Sequence, residues 1–80
     1  MMKVKNLWFD PERMYIETTH KKVLSVALNR FPRLERADTR QRETWQQVYD
    51  GLRWDEIDED ISLESFTLND NDPHILSYRD

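Results

Sequence analysis

The chain contains 80 residues, no cysteine and 35% charged residues, and its formal net charge at pH 7 is −4. This length predicts a single domain, whose small core leaves little room for a deep catalytic pocket. The lack of cysteine excludes disulfide bonds, a zinc ribbon and a thiol nucleophile. The sequence has neither a signal-peptide pattern nor an apolar run of ~20 residues, so we expect a cytoplasmic protein rather than a membrane protein.

Three short apolar segments in the first half of the chain predict an antiparallel sheet. Residues 4–9, 14–18 and 23–28 are rich in β-branched and aromatic residues, and the turn-forming sequences DPER and THKK separate them. Because side chains alternate along a strand, one face of this sheet collects the apolar side chains of Leu7, Phe9, Met14, Ile16, Leu24, Val26 and Leu28. An apolar face implies an element that covers it.

A helix over about residues 39–50 is predicted as that cover. Asp38 is a favourable N-cap, and Gln41 stands three residues later, as a capping box requires. Gly51, the only glycine, stands where a helix often ends in the left-handed conformation. One face of this helix would carry four residues with the spacing i, i+3, i+4, i+7, namely Trp45, Val48, Tyr49 and Leu52.

These elements predict an α+β fold, in which one main helix packs on the apolar face of a small antiparallel sheet of three to four strands. Residues 52–54 could supply the fourth strand, and Ser62 could cap a single helical turn at LESF. We expect a single domain over residues 1–66, followed by a tail, residues 67–80, that is frayed or adds an edge strand through the sequence HILSY. Trp45→Ala would then lower stability by roughly 3–5 kcal/mol.

Five carboxylates lie within residues 55–60, interrupted only by Ile57. A calcium-binding EF-hand loop that begins at Asp58 would have Leu63 where glycine is needed and Asn69 where glutamate is needed. An acid–base pair requires one buried and one solvated carboxyl group, whereas crowded acids in a polar turn are mostly solvated. We therefore expect no catalytic residue, no cofactor and no dedicated metal site. Ile57 and Ile61 would anchor the turn, and some acids would pair with arginines, while weak cation binding stays an open alternative.

Three aromatic residues are candidates for binding a partner. Trp8 alternates out of phase with the apolar face, so we expect it on the opposite face of the sheet, where Tyr15 and Trp54 could join it. Exposed Trp and Tyr side chains dominate the binding energy of many protein interfaces. The alternative is that a C-terminal segment covers this aromatic patch.

An arginine-rich segment, residues 30–42, supplies three further candidates. They are Arg33, Arg36 and Arg40, whose guanidinium groups suit carboxylates or phosphates. Acidic residues interspersed in the same segment weaken its positive field. Residues 1–48 carry ten Lys/Arg and six Asp/Glu, whereas residues 49–80 carry two Arg and ten Asp/Glu. A basic first part can therefore attract an acidic second part, within the fold or between two copies of the chain.

Several short pieces of this sequence occur together in a known family. They are Leu7–Asp10, Tyr15–Thr18, Val23–Val26 with Leu28, Phe31–Leu34, Ala37, Gln41–Glu43, Trp45 and Asp58–Ser62. Because these pieces occur in this order, the chain resembles a bacterial family catalogued as domain-of-unknown-function family 2442. The resemblance covers about residues 3–66. The resemblance implies a small α+β domain that occurs alone or fused to helix-turn-helix domains. Members that stand alone are often encoded beside another short protein, an arrangement interpreted as a toxin–antitoxin pair, and the family has no established catalytic residues.

This chain departs from the family pattern in three places. Asp38 and Thr39 stand where members often have Thr-Pro, and the short sequence YDG replaces a longer glycine-rich turn. Asp55 follows the last tryptophan, where members have proline. The helix cap survives the first change, because Asp is a good N-cap.

Small size, absent catalytic motifs, aromatic residues and divided charge together favour a protein-binding module without enzymatic activity. We expect it to be an antitoxin-like or regulatory partner of another small protein, and a homodimer is a further possibility. The alternative is nucleic-acid-linked transcriptional regulation through residues 30–42.

Overall fold

Two antiparallel sheets form the described part of the chain. The structure is a computed structural model and describes residues 2–68. The first sheet contains β1 (Val4–Phe9), β2 (Arg13–Thr18), β3 (Val23–Ala27) and β7 (Thr67–Leu68), in that spatial order. The second sheet contains β4 (Gln46–Val48), β5 (Gly51–Trp54) and β6 (Glu59–Ser62), also in that order. Two short helices, α1 (Pro32–Arg36) and α2 (Thr39–Arg42), lie between the sheets in the sequence.

The predicted antiparallel arrangement of the first three strands is confirmed. Leu7 lies opposite Ile16 and Phe9 lies opposite Met14, while Met14 lies opposite Val26 on the next strand. Residues directly opposite each other in an antiparallel pair share a face of the sheet. The apolar face predicted from the alternation therefore exists, and its central residues Met14 and Ile16 are fully buried.

The helix predicted over residues 39–50 is wrong beyond Arg42. The capping box at its start is present, because the Asp38 carboxylate accepts the N–H of Gln41 and the Gln41 side chain accepts the N–H of Asp38. However, α2 is only four residues long, and the chain then forms a hairpin in which Val48 pairs with Gly51. The two turn residues are Tyr49 and Asp50, whereas Gly51 already belongs to β5, and a short apolar segment cannot distinguish a helix from a hairpin by its period alone.

The residues of the predicted helical face are also more exposed than a helix packed on the first sheet would allow. Tyr49 is 81% exposed and Val48 is 42% exposed, so neither packs on the first sheet, and Trp45 is only partly buried against the core. The predicted α+β fold with one main helix is therefore wrong. Residues 2–68 are mostly β, and their longest helix has five residues.

The second sheet covers the apolar face in place of the predicted helix. Leu52, Trp54 and Ile61 of β5 and β6 are at most 2% exposed and share one core with Met14 and Ile16 of β2. The strand that the sequence suggested at residues 52–54 exists, but it belongs to this second sheet. Fully burying each large apolar side chain stabilises the fold by about 1.5–3 kcal/mol.

Gly51 allows a close approach of two strands and does not end a helix. Its φ is not positive, contrary to the sequence prediction. Gly51 pairs with Ser62, and a Cβ atom on Gly51 would lie 2.6 Å from the carbonyl oxygen of Ile61. Glycine is therefore the residue that lets β5 and β6 pair without displacing the backbone.

The acidic stretch forms a turn, as predicted. Ile61 is buried and Ile57 packs against the core, which confirms both as the anchors of this turn. The Ser62 hydroxyl accepts the N–H of Glu64 and caps a single 3-10 turn over Leu63–Ser65. The predicted HILSY strand lies outside the described residues. Within residues 2–68, no helix is long and apolar enough to span a membrane.

Candidate functional site

Trp8 and Tyr15 form an aromatic stack on the outer face of the first sheet. They are direct partners in the β1–β2 register, and both side chains point away from the buried face. Their ring centroids are 5.6 Å apart and their planes are inclined by 8°. Trp8 remains 39% exposed, so the stack presents an aromatic surface to solvent. The sequence prediction that these two residues share the outer face is confirmed.

The turn between β1 and β2 holds Tyr15 in place. The Tyr15 hydroxyl donates a hydrogen bond of 2.5 Å to the Asp10 carboxylate, which also accepts the N–H groups of Glu12 and Arg13. The hydrogen bond from Tyr15 is the main cause that lowers the pKa of Asp10, and the two backbone donors act in the same direction. The ionised Asp10 therefore organises the turn and orients the aromatic ring.

A groove of about 560 Å³ lies beside this stack. Its lining residues come from β1 and from the segment around α2, and they are Leu7, Trp8, Phe9, Thr39, Arg42, Glu43 and Trp45. The Arg42 guanidinium carbon lies 4.5 Å from the centroid of the Phe9 ring, within the range of a cation–π contact. Arg42 also donates hydrogen bonds to the carbonyl oxygens of Leu34 and Glu35, which fix its position. The groove therefore combines apolar and aromatic side chains with polar ones, among them the anchored Arg42 cation and the Glu43 carboxylate.

The outer edge of β1 opens into the groove. Only β2 pairs with β1 among the described strands, so β1 is an edge strand. Asp10 donates its N–H to the carbonyl oxygen of Arg13, which places the backbone groups of Asp10 toward β2. Successive residues of an antiparallel strand face alternately toward and away from the neighbouring strand. The N–H and C=O groups of Leu7 and Phe9 consequently point outward.

Gln47 occupies the other part of this edge. Its Oε1 accepts the N–H of Val4 at 2.8 Å, and its Nε2 donates to the carbonyl oxygen of Met2 at 2.7 Å. The side-chain amide thus accepts and donates as the peptide group of a neighbouring strand would. It satisfies the edge at Met2–Val4, whereas no backbone group between residues 2 and 68 pairs with the edge at Leu7–Phe9. We call Leu7, Trp8, Phe9, Tyr15, Arg42 and Trp45 the β1 surface.

Trp54 does not join Trp8 and Tyr15 on the exposed face, contrary to the prediction. It is fully buried in the core, and its indole N–H donates to the carbonyl oxygen of Arg42 at 3.0 Å. The reason is that β5 belongs to the second sheet, whose apolar side packs on the first. Trp54 therefore supports the backbone that carries Arg42, and it is not itself available to a partner.

Two of the three candidate arginines are engaged with the acidic turn. Arg33 donates to the carbonyl oxygen of Asp58 at 2.6 Å and lies 3.6 Å from its carboxylate. Arg40 forms a two-point ion pair with Glu56, which lowers the pKa of that carboxyl group. Arg36 is exposed and has no ion pair with another residue between 2 and 68. The arginine-rich segment is thus largely a partner of the chain's own acids.

Arg53 is a central residue that the sequence analysis missed. Its guanidinium group contacts the carboxylates of Asp55 at 2.9 Å, Asp58 at 2.9 Å and Asp60 at 2.8 Å. The hydrogen bond from Arg53 is the main cause that lowers the pKa of Asp58. The signal in the sequence was the position of Arg53 just before the acidic stretch. Its place opposite Asp60 follows from the β5–β6 hairpin. Among the described residues, no group of three or more acids and histidines has an arrangement that could hold a metal ion.

These features define a small two-sheet domain with an aromatic and apolar surface beside an open strand edge. The family comparison matches residues 4–71 to the family described as protein of unknown function, DUF2442. The chain therefore belongs to this family, as the resemblance indicated. Neither the comparison with curated proteins nor the comparison with solved structures gave a match.

Proposed function

We propose that this protein is a non-enzymatic protein-binding module, an antitoxin-like or regulatory partner of another small protein, and that it binds through the β1 surface. The observation that carries this proposal is the Trp8–Tyr15 stack, in which Trp8 is exposed and which borders a groove of mixed polar and aromatic lining and an open strand edge. Exposed aromatic residues beside an anchored arginine are typical of the few residues that dominate binding energy in interfaces.

Co-expression with the protein encoded beside it, followed by co-purification, tests the proposal. We expect a complex at micromolar concentrations, and we expect Trp8→Ala to weaken it at least about tenfold, as truncation of an interface tryptophan commonly does. The matched control is Tyr49→Ala, because Tyr49 is an exposed aromatic residue outside the β1 surface. Absence of a complex, or equal weakening by both variants, would contradict the proposal.

The alternative, regulation through nucleic-acid contact by residues 30–42, has less support. Arg33 and Arg40 already pair with Asp58 and Glu56, and Arg42 donates to two carbonyl oxygens. A phosphate backbone would have to replace these contacts. Binding of DNA or RNA that falls steeply with rising salt would favour this alternative.

A further inference from the structure

All four lysines of the chain lie at one end of the first sheet. Lys3 and Lys5 are at the start of β1, and Lys21 and Lys22 are in the turn between β2 and β3. These two segments are neighbours, because Thr19 donates its N–H to the carbonyl oxygen of Lys3 and Thr18 donates to that of Lys22. All four side chains are exposed. We call Lys3, Lys5, Lys21 and Lys22 the lysine cluster.

No lysine of the cluster has an acidic partner within residues 2–68, in contrast to three of the arginines. The ion pairs of this part of the chain are formed by Arg33, Arg40 and Arg53 with the acidic turn. The chain carries a net negative charge, yet no acid among residues 2–68 forms an ion pair with its lysines. A concentrated positive field of this kind attracts carboxylates or phosphates from another molecule.

Two lysines of the cluster, Lys3 and Lys5, lie at the start of the strand that carries the open edge. β1 has six residues, and at about 3.3 Å per residue the distance from Lys3 to Phe9 is about 20 Å. The open N–H and C=O groups of Leu7 and Phe9 are at one end of this line, beside the groove. Because Gln47 covers the edge at Met2–Val4, an added strand would pair only along Leu7–Phe9, and acidic side chains in its continuation would reach the lysines beyond Gln47.

We propose that an extended segment of a protein partner adds to the edge of β1 at Leu7–Phe9, with its carboxylates against the lysine cluster. This inference rests on the proposed function and specifies its binding mode and the chemistry of the partner. Main-chain hydrogen bonds to the edge supply affinity in this mode of recognition, and alternate side chains occupy the neighbouring groove. Apolar side chains would contact Leu7, Phe9 and Trp45, since these residues line the groove.

The way in which Gln47 binds β1 favours a strand as the occupant. Its amide already accepts from Val4 and donates to Met2, so the edge accommodates peptide-like groups in the required geometry. A nucleic acid would satisfy the lysine cluster but would leave the outward N–H and C=O groups of Leu7 and Phe9 without matching partners. The combination of open backbone groups and positive charge therefore favours an acidic peptide over a phosphate backbone.

The test uses the full chain, labelled with 15N, and synthetic twelve-residue peptides. Each peptide alternates valine and threonine and carries three acidic residues at its N- or C-terminal end, so that either strand direction is possible. We expect at least one peptide to shift the amide resonances of Leu7 and Phe9 and to slow their hydrogen exchange. A peptide N-methylated at alternate residues cannot form the ladder, and a peptide with lysines in place of the acids lacks the charge match, so both should bind at least about tenfold more weakly.

Two double variants of the protein separate the lysine cluster from general charge effects. K3Q/K5Q should weaken binding of the acidic peptide about threefold to tenfold, as expected for loss of exposed ion pairs. R30Q/R36Q changes the net charge equally at exposed positions outside the cluster and should leave the affinity within about twofold. Equal effects of both variants, or unchanged Leu7 and Phe9 amides, would overturn the inference.

Two other outcomes would also overturn it. Protection of the Leu7 and Phe9 amides without peptide, in a dimer seen by sedimentation, would show that a second copy occupies the edge. Binding of an oligonucleotide that depends on Lys3 and Lys5, without binding of any peptide, would assign the lysine cluster to nucleic acid. If a Trp8-dependent complex with the co-expressed protein persists in either case, the proposed function stands and only strand addition is lost.

Discussion

Arg53 shows how one residue neutralises a cluster of like charges. Its planar guanidinium group has five N–H donors, which lets it bond three carboxylates from one position. Asp58 reaches Arg53 from a left-handed backbone conformation, with a φ of 53°. Asp tolerates this conformation better than most residues, which explains why an acid can occupy this point of the turn.

The pH dependence of stability should reveal the ion pairs of Arg53. The pKa of Asp58 in the folded state lies below its ordinary value of 3.8. A carboxyl group of this kind contributes stability above its unfolded pKa and loses the contribution as the pH falls through its folded pKa. We therefore expect Tm to drop as the pH is lowered from about 5 to about 2, and we expect Arg53→Gln to flatten this drop.

Thermal unfolding between pH 7 and pH 2 measures this effect. Arg30→Gln is the control, because Arg30 has no acidic partner among the described residues and contacts only the ring of Phe31. The idea fails if the Arg53 variant and the control show the same dependence of Tm on pH.

Gly51→Ala should lower the free energy of unfolding by about 1–3 kcal/mol, as overpacking commonly does. The new Cβ atom would overlap the carbonyl oxygen of Ile61, which is backbone and cannot rotate away. Urea unfolding measures the change. Asp50→Ala in the adjacent turn is the control and should change stability by no more than about 0.5 kcal/mol. Equal stability of both variants would show that the two strands separate without loss.

At the scale of elements, β5 has the role that the sequence analysis gave to a helix. Its residue Trp54 is fully buried, whereas Trp45 is only partly buried. We expect Trp54→Ala to lower stability by roughly 3–5 kcal/mol, since it leaves a cavity and an unpaired carbonyl at Arg42. Trp45→Ala should have less than half of that effect. Chemical denaturation of both variants decides between them, and a larger loss for Trp45 would contradict this packing.

The first three strands could be predicted because the information that specifies them is local. Alternation along residues 4–9, 14–18 and 23–28 fixes which side chains are buried, and short turns fix which strands are neighbours. The same alternation placed Trp8 and Tyr15 on the outer face. Residues 45–52 also satisfied a helical period, and a short apolar segment cannot distinguish a helix from a hairpin by period alone.

The rest of the candidate site could not be predicted because it depends on contacts between distant residues. Gln47 and Val4 are 43 positions apart, and nothing near either residue indicates that an amide will cover a strand edge. The contact of Arg42 with Phe9 likewise depends on where α2 lies relative to β1. The burial of Trp54 follows from the second sheet, whose existence the helical interpretation had excluded.

At the scale of the whole molecule, the two sheets should unfold as one unit. Leu52 and Ile61 of the second sheet share their core with Met14 and Ile16 of the first, so neither sheet keeps its apolar side covered alone. Native-state hydrogen exchange should therefore give the amides of Ile16 and Leu52 the same free energy of opening, within about 0.5 kcal/mol. A markedly lower value for Leu52 would show that the second sheet opens independently.

The amide of Gln47 has a consequence for the solubility of the whole chain. A long bare strand edge is a template on which identical molecules can stack without limit. Here the Gln47 side chain covers the Met2–Val4 part of the β1 edge, which shortens the stretch on which another molecule could stack. In the proposed strand addition, the length of edge that Gln47 leaves uncovered would limit the added segment to a few residues.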